Sequence, residues 1–220
     1  MRFHLSPGGR RRLVERWKVL WAGLGVAPAA HRPLLEELLV RHTEPQRYYH
    51  NLAHLERLFA LLEAPPAPIG APALQQAPHL ALAVWFHDAI YDPTREDNEL
   101  QSALLAQARL EGLGLAGVLI QRVVNLILAT ANHQTQDPDG ALFLDADLSI
   151  LGSDPQTYQA YTQAIRQEYA WLPKGLYQER RASLLKRFLA RERIYQTGAF
   201  APLEEPAREN LRRELAQIAL

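Results

Sequence analysis

Apolar residues recur along this chain at intervals of three and four, the period of a helix with one buried face. Leu13, Trp17, Leu20, Trp21 and Leu24 form the first such stripe, which Gly23 and Gly25 bring to a stop. Residues 33–41 read as a second helix, ended by Thr43-Glu44-Pro45. Residues 49–62 read as a third, with Leu52, Leu55, Leu58, Phe59 and Leu62 on one face. Residues 80–91 are apolar on nearly all sides, which predicts a buried helix. Two more follow over 97–110 and 118–131, separated by Gly112, Gly114 and Gly117. Asp137-Pro138-Asp139-Gly140 is a turn signal, and 142–151 is a short apolar helix stopped by Gly152. Asp154 and Pro155 supply an N-cap and a first helical residue, after which Tyr158, Tyr161, Ile165 and Tyr169 share a face. Residues 177–195 and 205–218 complete the set.

Between residues 63 and 78 the prolines Pro65, Pro66, Pro68, Pro72 and Pro78 predict a surface loop, too short to divide domains. No internal repeat is present, and no alternation of apolar and polar residues runs long enough for a sheet. The expectation is one all-α domain over residues 1–220, a length able to bury most of its apolar surface.

Charge and composition narrow the function classes. Lys plus Arg and Asp plus Glu are 24 each, so the chain lacks the basic excess of a general nucleic-acid or acidic-membrane binder. The run Arg10-Arg11-Arg12 reads as a solvated helix start. Cysteine is absent, which excludes thiolate nucleophiles and cysteine zinc sites and leaves His, Asp and Glu as metal ligands. Residues 19–30 are apolar, but Arg16, Lys18 and the helical spacing of Trp17 and Trp21 favour a helix over a cleaved signal. No window approaches the ~20 apolar residues of a membrane span, so a cytoplasmic protein is expected. Arg outnumbers Lys 21 to 3, as a GC-rich genome or a hot habitat would produce.

His87 and Asp88 are the strongest chemical signal, because they interrupt the apolar segment 80–91. Burying an imidazole and a carboxylate costs several kcal/mol unless each is paired or bound to a cation. A divalent metal resolves that cost; a private ion pair in the core is the ordinary alternative. His50 and His54, four residues apart on the expected third helix, have a common metal-ligand spacing. Asp145 and Asp147 lie in a further apolar helix, about 200° apart around its axis, so one of the two faces a shared site. One common site accounts for all three segments together.

This ordered set of His50, His87-Asp88 and Asp147 resembles the HD superfamily of metal-dependent phosphohydrolases. It is most similar to a bacterial group of predicted HD phosphohydrolases in the segments 49–55 (YHNLAHL), 86–92 (FHDAIYD), 97–103 (DNELQSA) and 145–152 (DADLSILG). The resemblance implies a helical HD bundle with additional N- and C-terminal helices and a metal-binding core at about 45–152. It implies His50, His87, Asp88 and Asp147 as metal ligands, with Asp147 chosen over Asp145. His54 is then a supporting group or a ligand to a second ion. His133 stands where relatives carry another histidine and would contact a phosphate or a second metal; its alternative is a helix-end histidine facing carbonyls.

The implied activity is metal-dependent hydrolysis of a phosphate ester, such as a nucleotide or other small phosphorylated molecule. Mixed nitrogen and oxygen ligands suit Mn, Fe, Co, Ni or Zn better than Mg. Asp88 and His133 would take part in the chemistry. Some relatives place an acidic residue or histidine where this chain has Tyr91, so the general acid or base is unassigned, with Glu99 and Asp92 as candidates. Arg166 and Lys174 are candidates for holding phosphate and Tyr158 and Tyr161 for stacking on a base, against a solvated face and core aromatics. A non-catalytic, metal- or nucleotide-binding regulatory module is the competing function. Trp17, Trp21 and the C-terminal helices offer a face for a homodimer.

Overall fold

In the computed structural model, which describes residues 2–67 and 76–218, the periodic segments become ten α-helices. They are α1 (Gly9–Gly23), α2 (Pro28–Arg41), α3 (Leu52–Glu63), α4 (Pro78–Phe86), α5 (Asn98–Gly112), α6 (Gly117–Ala129), α7 (Pro138–Leu148), α8 (Pro155–Glu168), α9 (Lys174–Leu189) and α10 (Glu204–Ile218). Tight 3-10 turns follow α7 (Ser149–Gly152) and precede α10 (Gly198–Leu203). The described residues contain no strand, so the protein is all-α. No described helix is long and apolar enough to cross a membrane. Residues 68–75 of the expected proline-rich loop lie outside the described residues.

Helix α4 is the axis of the molecule. Every residue from His79 to Phe86 is buried, because α3, α5, α6 and α7 surround it. An apolar segment without a polar face has no alternative to this position. The amphipathic helices pack around it, α1 against α3 with α2 on α1, and α5 against α6. Helices α9 and α10 close the other end over the 3-10 turn at Ser149–Gly152.

That closure leaves no space at Gly152, where an added Cβ would come within 2.6 Å of Leu203 Cβ and 2.7 Å of its carbonyl oxygen. Trp17 and Trp21 are fully buried, packed with Trp85 and His31, and Trp17 Nε1 donates to His31 Nδ1. Consumed by the chain's own core, these indoles supply no dimer face. Arg10 and Arg11 are exposed at the start of α1, as expected for a solvated start, while Arg12 pairs with Glu56.

Four element boundaries differ from the sequence expectation, and the first two shape the site. Asn51 is the N-cap of α3, its side chain accepting from Ala53 N at 2.8 Å, so His50 lies before the helix. His50 and His54 therefore do not share a helix face. Helix α4 ends at Phe86, so His87 is its C-cap and Asp88 follows outside it. Finally, Asp137-Pro138 is the cap and first residue of α7 and not a separate turn, with Asp137 accepting from Gly140 N. The last expected helix but one starts earlier and stops earlier, at Lys174–Leu189, leaving Ile194 and Tyr195 buried in a loop.

Candidate metal centre

Four side chains converge where the start of α3, the end of α4 and the last turn of α7 meet. His54 Nε2 and His87 Nε2 lie 3.1 Å apart. Asp147 Oδ1 is 3.1 Å from His54 Nε2 and 3.8 Å from His87 Nε2. Asp88 Oδ2 is 3.1 Å from His87 Nε2 and 3.8 Å from His54 Nε2. His54, His87 and Asp147 each offer an atom within 4.8 Å of the others. Donors held at about 2.1 Å by one cation lie roughly 3.0–3.4 Å apart at right or tetrahedral angles and up to about 4.2 Å when opposed, so the spacing of His54, His87 and Asp147 fits a shared divalent ion, with Asp88 beside His87. The donor chemistry fits as well, with two imidazole nitrogens, two carboxylates and no sulfur.

Local structure fixes how each group is presented. His87 Nδ1 lies 3.1 Å from Val84 O, which directs the lone-pair side of Nε2 toward the cluster. Burial opposes charge on His87, yet Asp88 and Asp147 outweigh it and push the imidazole up to about 9. Burial lowers His54, which is held below the ordinary histidine range. Although burial alone would raise both carboxyls, the surrounding histidines keep Asp88 and Asp147 well below the carboxylate range. Asp145, on the opposite side of α7, is buried and accepts from Gln196 N, Thr197 N and Thr197 Oγ1 at 2.6–2.8 Å. It anchors the segment before α10 and is remote in role from the cluster.

His50 is outside this cluster and belongs to a different arrangement. Glu168, the last residue of α8, accepts from Tyr48 N, Tyr49 N and His50 N through Oε1. Its Oε2 accepts from Tyr91 OH at 2.7 Å and lies 2.6 Å from His50 Nδ1. With Nδ1 committed to Glu168, Nε2 is the free end of His50. Burial disfavours its charged form, but Glu168 and Asp88 raise its pKa above the ordinary value. Burial would raise the Glu168 carboxyl, but His50 and the donated hydrogen bonds hold it at about 2. The sequence signal for Glu168 was its place on the buried stripe of Tyr158, Tyr161 and Ile165, where a carboxylate is unexpected.

Arg47 ties the two site-bearing loops together. Its buried guanidinium donates to His50 O, Asp88 O and Ala89 O at 2.6–3.2 Å, stacks on the Tyr91 ring and pairs with Glu44. His133 approaches from the end of α6, with Nε2 3.1 Å from Asp147 Oδ2. Its backbone has φ 52°, a left-handed conformation that costs a residue with a Cβ about 1–2 kcal/mol. The strain is held by His133 N donating to Ala129 O and by Arg191, which donates to the carbonyls of Asn132 and His133. His133 thus stands just past the end of α6, and its ring meets the Asp147 carboxylate instead of the helix-end carbonyls.

Above the cluster opens a cavity of about 890 Å³, within the usual range for small-molecule sites. His50, Asp88, His133 and Asp147 line its floor, and side chains of α8 and α9, outside residues 45–152, form one wall. Glu99 and Tyr161 line it too. Four other candidates have different surroundings. Tyr158 OH donates to Glu214, which is also bound by Arg181, so this tyrosine is a core group. Arg166 donates to Tyr169 O and Leu172 O and stacks on Tyr177, closing the end of α8 instead of holding a phosphate. Lys174 is exposed at the start of α9 and does not line the cavity. Asp92 accepts from Thr94 N and Oγ1 and faces a separate, shallower depression. No known protein family, curated protein or solved structure matches this chain.

Proposed function

We propose that this protein is a metal-dependent phosphohydrolase acting on a small phosphate ester, and that its likeness to the HD superfamily reflects a shared chemistry. The observation that supports this most is the convergence of His54, His87, Asp88 and Asp147, of which the two carboxylates line the floor of a large cavity, with a His50–Glu168 pair beside it. His54, His87, Asp88 and Asp147 would hold the ion. When bound, a divalent metal of the Mn, Fe, Co, Ni or Zn type polarises a phosphoryl oxygen and lowers the pKa of water.

The chain's own groups supply the rest. His50 is a proton donor suited to a leaving alkoxide, since Glu168 orients the ring and stabilises its protonated form. This proton-bearing pair favours catalysis over a purely regulatory binding role, which has no need of it. Asp147 and His133 act as a unit, the imidazole steadying the carboxylate and facing the cavity. Tyr91 and three backbone N–H groups hold Glu168 ionised, so the pair keeps its proton at His50.

Elemental analysis of the purified protein, beside His54→Ala, His87→Ala and Asp88→Ala variants, tests the centre. One or two transition ions per chain, lost in the variants, is the expected result and would lead directly to a phosphatase and phosphodiesterase screen. Absence of metal even after Mn or Ni is supplied would sink the proposal.

A further inference from the structure

Arg180 and Arg187 stand seven residues apart on α9, two turns of helix, and so share one face. That face lines the cavity above the cluster together with Tyr177, Leu184 and Arg191. The other arginines of the cavity are engaged: Arg95 by Asp97, Arg181 by Glu214, and Arg191 by two carbonyls. Among the described residues Arg180 and Arg187 alone of this group have neither a carboxylate partner nor a hydrogen-bond acceptor. Arg187 also presses its charge on Arg191, whose pKa is lowered by burial and then by that neighbour. Two exposed arginines on one helix face, lining a cavity with no carboxylate paired to them, offer an anion subsite.

The strip has a direction. Arg191 is its inner end, bound to the His133 carbonyl and thereby next to Asp147. Arg187 is about one turn further out and Arg180 about two turns beyond that. At the outer end Tyr177 and the half-exposed Trp171 also line the cavity.

We propose that the substrate carries a second anionic group, held by Arg187 and Arg180, in addition to the phosphate that reacts at the cluster. This rests on the phosphohydrolase reading for the identity of the reacting group. The second group is a phosphate or a carboxylate, both of which match a guanidinium fork. The substrate is thus a small phosphate ester with an anionic group at each end, not a simple monophosphate.

The test is equilibrium binding to the Mn-loaded protein of three probes: hexyl phosphate, 1,6-hexanediol bisphosphate and 6-phosphonooxyhexanoate. At least one two-headed probe should bind about fivefold to fiftyfold tighter than hexyl phosphate, the scale of one or two exposed charge-assisted contacts. Which of the two does so separates phosphate from carboxylate. The Arg180→Gln/Arg187→Gln double variant should abolish that preference and leave hexyl phosphate affinity and the melting temperature unchanged. Equal binding of all three probes to the wild type, or a preference that survives the double variant, would overturn the subsite. A two-headed probe that binds through the arginines while hexyl phosphate neither binds nor is hydrolysed would keep the subsite and remove the phosphohydrolase reading. Failure of every probe to bind would remove both.

Discussion

His54 Nε2 and His87 Nε2 face each other at 3.1 Å, too close for two bare lone pairs and right for one proton or one cation between them. Because His87 Nδ1 already addresses Val84 O, a proton at Nε2 makes His87 an imidazolium, in accord with its pKa of about 9. A metal taken up by the cluster must displace that proton. Calorimetric titration of chelator-treated protein with Mn, in buffers of different ionisation enthalpy, should show about one proton released per ion near pH 7. His87 loses its proton as pH rises through about 9, so the release should decline toward zero above that pH. No buffer dependence at neutral pH would contradict this protonation state.

His50 and His54 are separable by mutation. Removing His54 deletes a member of the cluster, so His54→Ala should lose metal and activity together. His50→Ala should keep its metal yet lose roughly 10²–10³ in turnover, the usual size of a general-acid contribution. Its pH–rate profile should lose the alkaline limb set by His50 deprotonation. Metal loss in His50→Ala would instead make it a ligand.

Glu168 couples stability to pH. Its carboxyl falls from an ordinary 4.5 to about 2 and its side chain is fully buried, which corresponds to roughly 3 kcal/mol favouring the folded state. A depressed acid contributes fully above its unfolded pKa and loses that contribution as pH falls through the folded one. The stability gap between metal-free wild type and Glu168→Gln, measured by urea unfolding, should therefore be largest near pH 5, where the Glu168 carboxylate and the His50 imidazolium it stabilises are both charged. Below pH 4.5 it should shrink steadily toward pH 2.

Gly152 tests the packing of the fold itself. A methyl group there meets Leu203 at 2.6 Å, and part of the contact is backbone, which cannot rotate away. Gly152→Ala should cost about 1–3 kcal/mol, lowering the melting temperature by several degrees for a chain of this size. An unchanged melting curve would show that the segment before α10 yields freely.

The helical period of the chain was legible because each stripe faces one neighbour, and α4 declared its central place by having no polar face. The burial cost of His87, Asp88 and Asp147 was equally visible, and the structure brings these three together. The exchange of His54 for His50 was not legible from spacing, because it turns on whether Asn51 caps the helix or continues it. Asn before an apolar run is a capping signal, and the cue at Asp137-Pro138 was of the same kind. Glu168 and Arg47 were hidden for a different reason. Their partners lie 118–120 and 41–42 residues away, and no local pattern encodes such pairs.

The clasp of Glu168 around Tyr48, Tyr49 and His50 also sets when the loop before α3 can take its final form. A ribosome delivers the cluster residues first, since Asp147 precedes α8 in the chain. Until residue 168 has emerged and α8 has docked, the loop before α3 has three unanswered N–H groups and His50 has no orienting partner. The order of synthesis thus leaves the orientation of His50 to a single carboxylate, the last group of this arrangement to emerge.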